Sequence, residues 1–118
     1  MSNECYLCLR IDPEQFFQEL RKYGFYSGEA RRIVSWIKKI YEKDPTFLCG
    51  RRSSTIKASL AYIGARLLTN KRGREMYKFS QRDLALHFKC TETALRSNYQ
   101  RIMKTFGYGS RFLRMGGD

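Results

Sequence analysis

The sequence predicts an all-α fold of five helices, and three observations carry that reading. Apolar residues recur at three- and four-residue spacing through every long segment. The segments are divided by helix-starting and helix-ending residues such as Asp12-Pro13, Gly24, Asp44-Pro45 and Ser80. No stretch alternates apolar and polar residues in the manner of a half-buried strand.

The elements follow in order. Residues 1–11 read as an N-terminal arm that carries Cys5 and Cys8 in a C-x-x-C spacing. Asp12 is placed to cap the first helix and Pro13 to occupy its first position, where a missing N–H costs nothing. Phe16, Phe17, Leu20 and Tyr23 share one face, and Gly24 ends the helix. The second helix starts at Ser27. Ala30, Ile33, Val34, Ile37, Ile40 and Tyr41 form its apolar stripe, with Trp36 at the margin. It ends near Lys43, because the residue before Pro45 is pushed out of the helical region. A loop follows, with Gly50 in it.

Ser53 or Ser54 opens the third helix. Ile56, Leu60, Ile63, Leu67 and Leu68 are apolar, while Ala58, Ala61, Gly64 and Ala65 are small. Small residues on several sides predict a central helix with close neighbours. Residues 70–79 form a basic connector with Lys71, Arg72, Arg74 and Lys78. Ser80 caps the fourth helix, and Asp83 completes an S-x-x-D start. Leu84, Ala85 and Phe88 face inward. Lys89 and Cys90 make a turn, Thr91 caps the fifth helix and Glu92 lies near its positive end. Leu95, Tyr99, Ile102 and Phe106 point inward, which leaves Thr93, Arg96, Ser97 and Gln100 outside. Residues 107–118 read as a loose, glycine-rich tail on which Phe112 and Leu113 could dock. The expected organisation is one domain over 12–106, ending in a helix-turn-helix at 80–106.

With 118 residues, 42% of them hydrophobic, the chain has the material for one core. No apolar run approaches the length of a membrane span. The N-terminus MSNECYLCLR lacks the cationic start and apolar stretch of a signal peptide, so an intracellular protein of cytoplasm or nucleoid is expected. The net charge is +12 and unevenly placed. Residues 1–50 hold 8 Lys+Arg against 7 Asp+Glu, and residues 51–118 hold 15 against 4. The excess sits in the half that contains the helix-turn-helix, as suits a polyanionic partner. There is no phosphate loop, no purposeful carboxylate pair and no serine with an arranged base. The expectation is a binding protein, not an enzyme, with no cofactor.

Three stretches carry a family resemblance. SSTIKASLAYIGARLL is similar to the third helix of the cyclin-like repeats of archaeal transcription factor B and eukaryotic general factor IIB. FSQRDLALHFKCTETALRSNYQRI is similar to the helix-turn-helix of the second repeat, and GFYSGEARRIVSWIKKI to its second helix. The likeness covers about residues 12–106. It implies a five-helix cyclin-like domain that reads a promoter element through the major groove of double-stranded DNA. The family's base-contacting positions match Thr93, where a valine is usual, and Arg96, which is retained. An arginine there implies a bidentate contact with guanine O6 and N7. Ser97 and Gln100 are adjacent candidates. Arg72, Arg74, Lys78, Arg82, Lys89 and Arg101 are candidates for phosphates. Implied partners are a TATA-binding protein, the RNA polymerase machinery or a second copy of the chain, in an archaeal, viral or plasmid setting.

The chain departs from the family in three ways. It has a single repeat and no zinc ribbon, its basic connector is longer, and Phe88-Lys89-Cys90 replaces Ala-Gly-Val at the turn. A second reading, from another class, is a protein-interaction module that docks through Trp36, Phe16 and Phe17 in the neutral half. A third is sequence-independent DNA packaging. For the cysteines, three states stay open: a zinc set of Cys5, Cys8, His87 and Cys90, a disulfide such as one from Cys49 to the arm, or free thiols. His87 reads as a surface or phosphate-contacting group. Tyr6, Tyr26, Tyr77 and Tyr108 fall outside the helical stripes and read as cover for core edges or a partner.

Overall fold

The computed structural model describes residues 11–68 and 79–107. Arg72, Arg74, Lys78, Cys5, Cys8, Tyr6, Tyr77, Tyr108, Phe112 and Leu113 lie outside them. The fold is all-α. Among the described residues five α-helices run in order: α1 (Pro13–Tyr23), α2 (Ser27–Lys43), α3 (Ser53–Leu68), α4 (Gln81–Phe88) and α5 (Glu92–Ile102). A π-helical turn, Met103–Gly107, prolongs α5. No strand occurs among the described residues, and no helix there is long and apolar enough to cross a membrane.

Local chemistry sets the boundaries. Asp12 Oδ1 accepts from the Glu14 amide at 3.0 Å, with Pro13 at the first position of α1. Gly24, at φ 128°, ends that helix. Its amide and that of Phe25 bond back to Arg21 and Leu20, which closes a Schellman motif. Glu29 reaches back to the Tyr26 amide at 2.9 Å and steadies the start of α2.

The core is continuous across the helices, and α3 lies at its centre, packed on α2, α4 and α5. A short ion pair, Lys57 Nζ to Glu19 Oε1 at 2.8 Å, ties it to α1 as well. The small residues of α3 have the expected use. A Cβ on Gly64 would overlap the side chain of Ile33, so α2 and α3 approach where only glycine fits.

Two expectations are corrected. Trp36 is not marginal: it is fully buried, and so is Phe16. Phe17 is partly covered, with the Arg31 guanidinium 5.0 Å from its ring centre. The neutral half therefore spends Trp36 and Phe16 on its own core, and neither ring is open to a partner, whereas Phe17 keeps part of its ring at the surface. His87 is likewise not a free surface group. Its ring lies 4.7 Å from Tyr23, and Nε2 is 3.3 Å from the Glu19 carbonyl oxygen, which joins α4 to α1.

Candidate nucleic-acid interface

Three residues, 89–91, join α4 to α5. Ser80 accepts from the Asp83 amide at 3.1 Å and starts α4. At its end Lys89 adopts the left-handed conformation, φ 64° and ψ 49°. The Cys90 amide donates to Ala85 O at 2.9 Å and the Lys89 amide to Leu86 O at 3.3 Å, a Schellman motif built on lysine. Thr91 then accepts from the Ala94 amide at 3.0 Å and starts α5. The position where the resembled family has glycine thus keeps glycine's backbone geometry with a cationic side chain on it.

α5 is anchored on one face and bare on the other. Leu95, Asn98 and Ile102 are buried, and Tyr99 packs edge-on against Tyr62 of α3 at 4.9 Å. Asn98 Nδ2 donates to Ser59 Oγ at 3.2 Å, and Ser59 donates to the Thr55 carbonyl at 2.8 Å. This polar link fixes the roll of α5 on α3. Thr93, Arg96, Ser97 and Gln100 are all exposed, at i, i+3, i+4 and i+7, so they form one outward stripe. Arg96 is held in place: its Nε donates to Gln81 Oε1 at 3.1 Å, and Nη2 lies 3.6 Å from Glu92.

The described phosphate candidates divide. Arg82 and Lys89 are exposed and share the outer face of α4 with Leu86, which is 68% exposed. Arg101 has a structural occupation. Its guanidinium lies 4.0 Å over the Phe47 ring and donates to the Phe47 carbonyl at 2.9 Å, which clamps the loop before α3 to α5.

Cys49 is disulfide-bonded, and Cys90 is a free thiol. Burial pushes the Cys90 thiol up from its ordinary value, with a hydrogen bond to Thr55 pulling the other way. Among the described residues no group of three or more His, Cys, Asp or Glu could hold a metal ion.

Sequence reasoning missed Gln81 and Asn98. Gln81 reads as an ordinary first-turn residue, and nothing linear points it at Arg96 fifteen positions on. Asn98 does leave a trace: it sits three residues after Leu95 and four before Ile102, on the inward side. No family model matches the chain, and neither a curated protein nor a solved structure matches it.

Proposed function

We propose that this chain is a sequence-specific double-stranded DNA-binding protein acting in transcription, a single cyclin-like repeat of the transcription factor B type. α5 is the recognition helix and enters the major groove. Arg96 and Thr93 meet base edges, Ser97 and Gln100 flank them, and Arg82 and Lys89 rest on phosphates.

The observation that supports this most is the outward stripe on α5. It is polar, unhindered and borne by a helix capped at its start and pinned from behind by Asn98 and Leu95. Its arginine is orientated by Gln81, as a bidentate contact with guanine requires. The basic balance of residues 51–118 supplies the attraction to the duplex backbone. The role in transcription, with a TATA-binding protein or polymerase as partners, rests on the resemblance of the three sequence stretches.

The test is selection of bound duplexes from a random pool at one stated salt concentration. Enrichment of a motif with a fixed guanine is the expected result. Equal retention of all sequences would replace this reading with non-specific packaging. No retention of duplex at low salt would remove it.

A further inference from the structure

A second feature lies at the α3–α5 contact and shares only Ser97 with the recognition stripe. A cavity of about 280 Å³ opens between the start of α3 and the middle of α5. Arg51, Arg52 and Thr55 line one side, and Ala94, Ser97 and Asn98 the other. Among the described residues, no acidic side chain lines it. Arg51 and Arg52 are exposed, and neither guanidinium has a hydrogen-bond or ion-pair partner among the described residues.

The start of α3 differs in kind from a closed helix end. Arg52 is the residue whose carbonyl takes the first helical bond, from Ile56 at 3.1 Å. An arginine has no side-chain oxygen to cap with. The amides of Ser53, Ser54 and Thr55 therefore lack a side-chain acceptor among the described residues. Such amides carry the positive end of the helix dipole and suit an anion.

Independent of both is Asn98. It is 2% exposed, it lines the cavity, and its Oδ1 is buried without a hydrogen-bond partner. Its Nδ2 is already given to Ser59, whose own proton goes to Thr55 O. A buried acceptor left in this state costs free energy until a donor meets it. A guanidinium has five donors in a rigid fork. One that turns in to give a single N–H to Oδ1 keeps two parallel N–H groups for a second, planar or tetrahedral acceptor.

We propose that this cavity is a phosphate seat, in which Arg51, Arg52 and the open amides of α3 hold one anionic phosphate group. Asn98 Oδ1 orientates the inner guanidinium. The occupant is a backbone phosphodiester of a duplex lying along α5. That assignment rests on the DNA-binding reading, since Ser97 belongs to both the cavity and the outward stripe. A free phosphate offers the same chemistry, and the experiment separates the two sources.

Two arms decide it, both on the full chain. The first is a ¹H–¹⁵N titration with inorganic phosphate, against chloride at equal ionic strength. The second compares the unaltered chain with Arg51→Gln/Arg52→Gln for binding to several duplexes across a salt series. Both altered side chains are exposed, so the fold is retained, and the fluorescence of buried Trp36 checks this. The expected result is a shift of the Ser53, Ser54 and Thr55 amides on duplex addition. With it, the double variant binds every duplex roughly tenfold more weakly and its salt slope flattens by about one or two. If the amides move with inorganic phosphate but the unaltered chain retains no duplex, the seat stands as a free-phosphate site and the DNA reading fails. If duplex binds normally while the amides stay still and the variant keeps its affinity and slope, the seat is wrong and the DNA reading stands. Amides that respond to neither ligand overturn the seat outright.

Discussion

Arg96 Nε donates to Gln81 Oε1 across 3.1 Å, from the second of two helices to the first residue of the one before it. The contact bridges the turn that separates them. It limits the conformers of a long side chain that would otherwise lose its freedom on binding. Gln81→Ala should therefore weaken binding to the preferred duplex by roughly 0.5–1.5 kcal/mol, the size of one hydrogen bond. Stability should change by less than about 0.5 kcal/mol, because the pair is at the surface. Gel shift and urea denaturation together check this. Equal loss on all sequences would assign Gln81 to something other than orientating Arg96.

Lys89 sits at φ 64°, in a region that favours glycine. Lys89→Gly should raise stability by about 1 kcal/mol, since it removes the left-handed penalty. The same change takes away a cation from the outer face of α4. Its salt slope on duplex should flatten by about one, with affinity lowered on every sequence. Denaturation midpoints and a salt series measure the two effects separately. A variant that is more stable and binds as before would remove Lys89 from the phosphate contacts.

Gly64 faces the Ile33 side chain where α3 meets α2. Gly64→Ala gains about 1 kcal/mol in helix propensity. It also forces a methyl into a fully packed site, at roughly 1–3 kcal/mol. A net loss is expected. Ile33→Val ordinarily costs about 0.5–1.5 kcal/mol. In the Gly64→Ala background it should cost less or become stabilising, because Cδ1, the nearer of the two overlapping Ile33 carbons, is gone. A double-mutant cycle by thermal unfolding reads this coupling, and strict additivity would contradict it.

Tyr23 lies among Phe25, Phe79 and His87. Burial, with the Asp83 carboxylate adding to it, pushes its phenol up to about 12. The folded value is raised above the unfolded one. The stabilisation is thus complete below pH 10 and is lost as pH rises from about 10 to about 12. Absorbance at alkaline pH should show a late-titrating component that disappears in Tyr23→Phe. That variant should also lose stability less steeply across the same window.

These relationships show where linear reading stops. The caps at Asp12, Ser80 and Thr91 and the stop at Gly24 were legible, because each acts on amides or carbonyls within a few residues. The central place of α3 was legible from its small residues. Trp36 was misjudged, since a single helical stripe does not reveal that α2 is covered from two sides, by α1 and by α3. His87 was misjudged for the same reason: a basic neighbourhood in sequence says nothing of Tyr23 and the Glu19 carbonyl in space. The outward stripe on α5 was legible by periodicity. Its supports, Gln81 in front and Asn98 behind, are contacts over 15 and 39 positions and leave no local pattern.

The most direct measurement is equilibrium binding of the unaltered chain and Arg96→Ala to one preferred duplex and its single-base variants, at one salt concentration. The account predicts a loss of roughly 1–3 kcal/mol on the preferred site, with discrimination relaxed at a single guanine and retained elsewhere. Unchanged affinity and an unchanged ranking of the duplexes would contradict it.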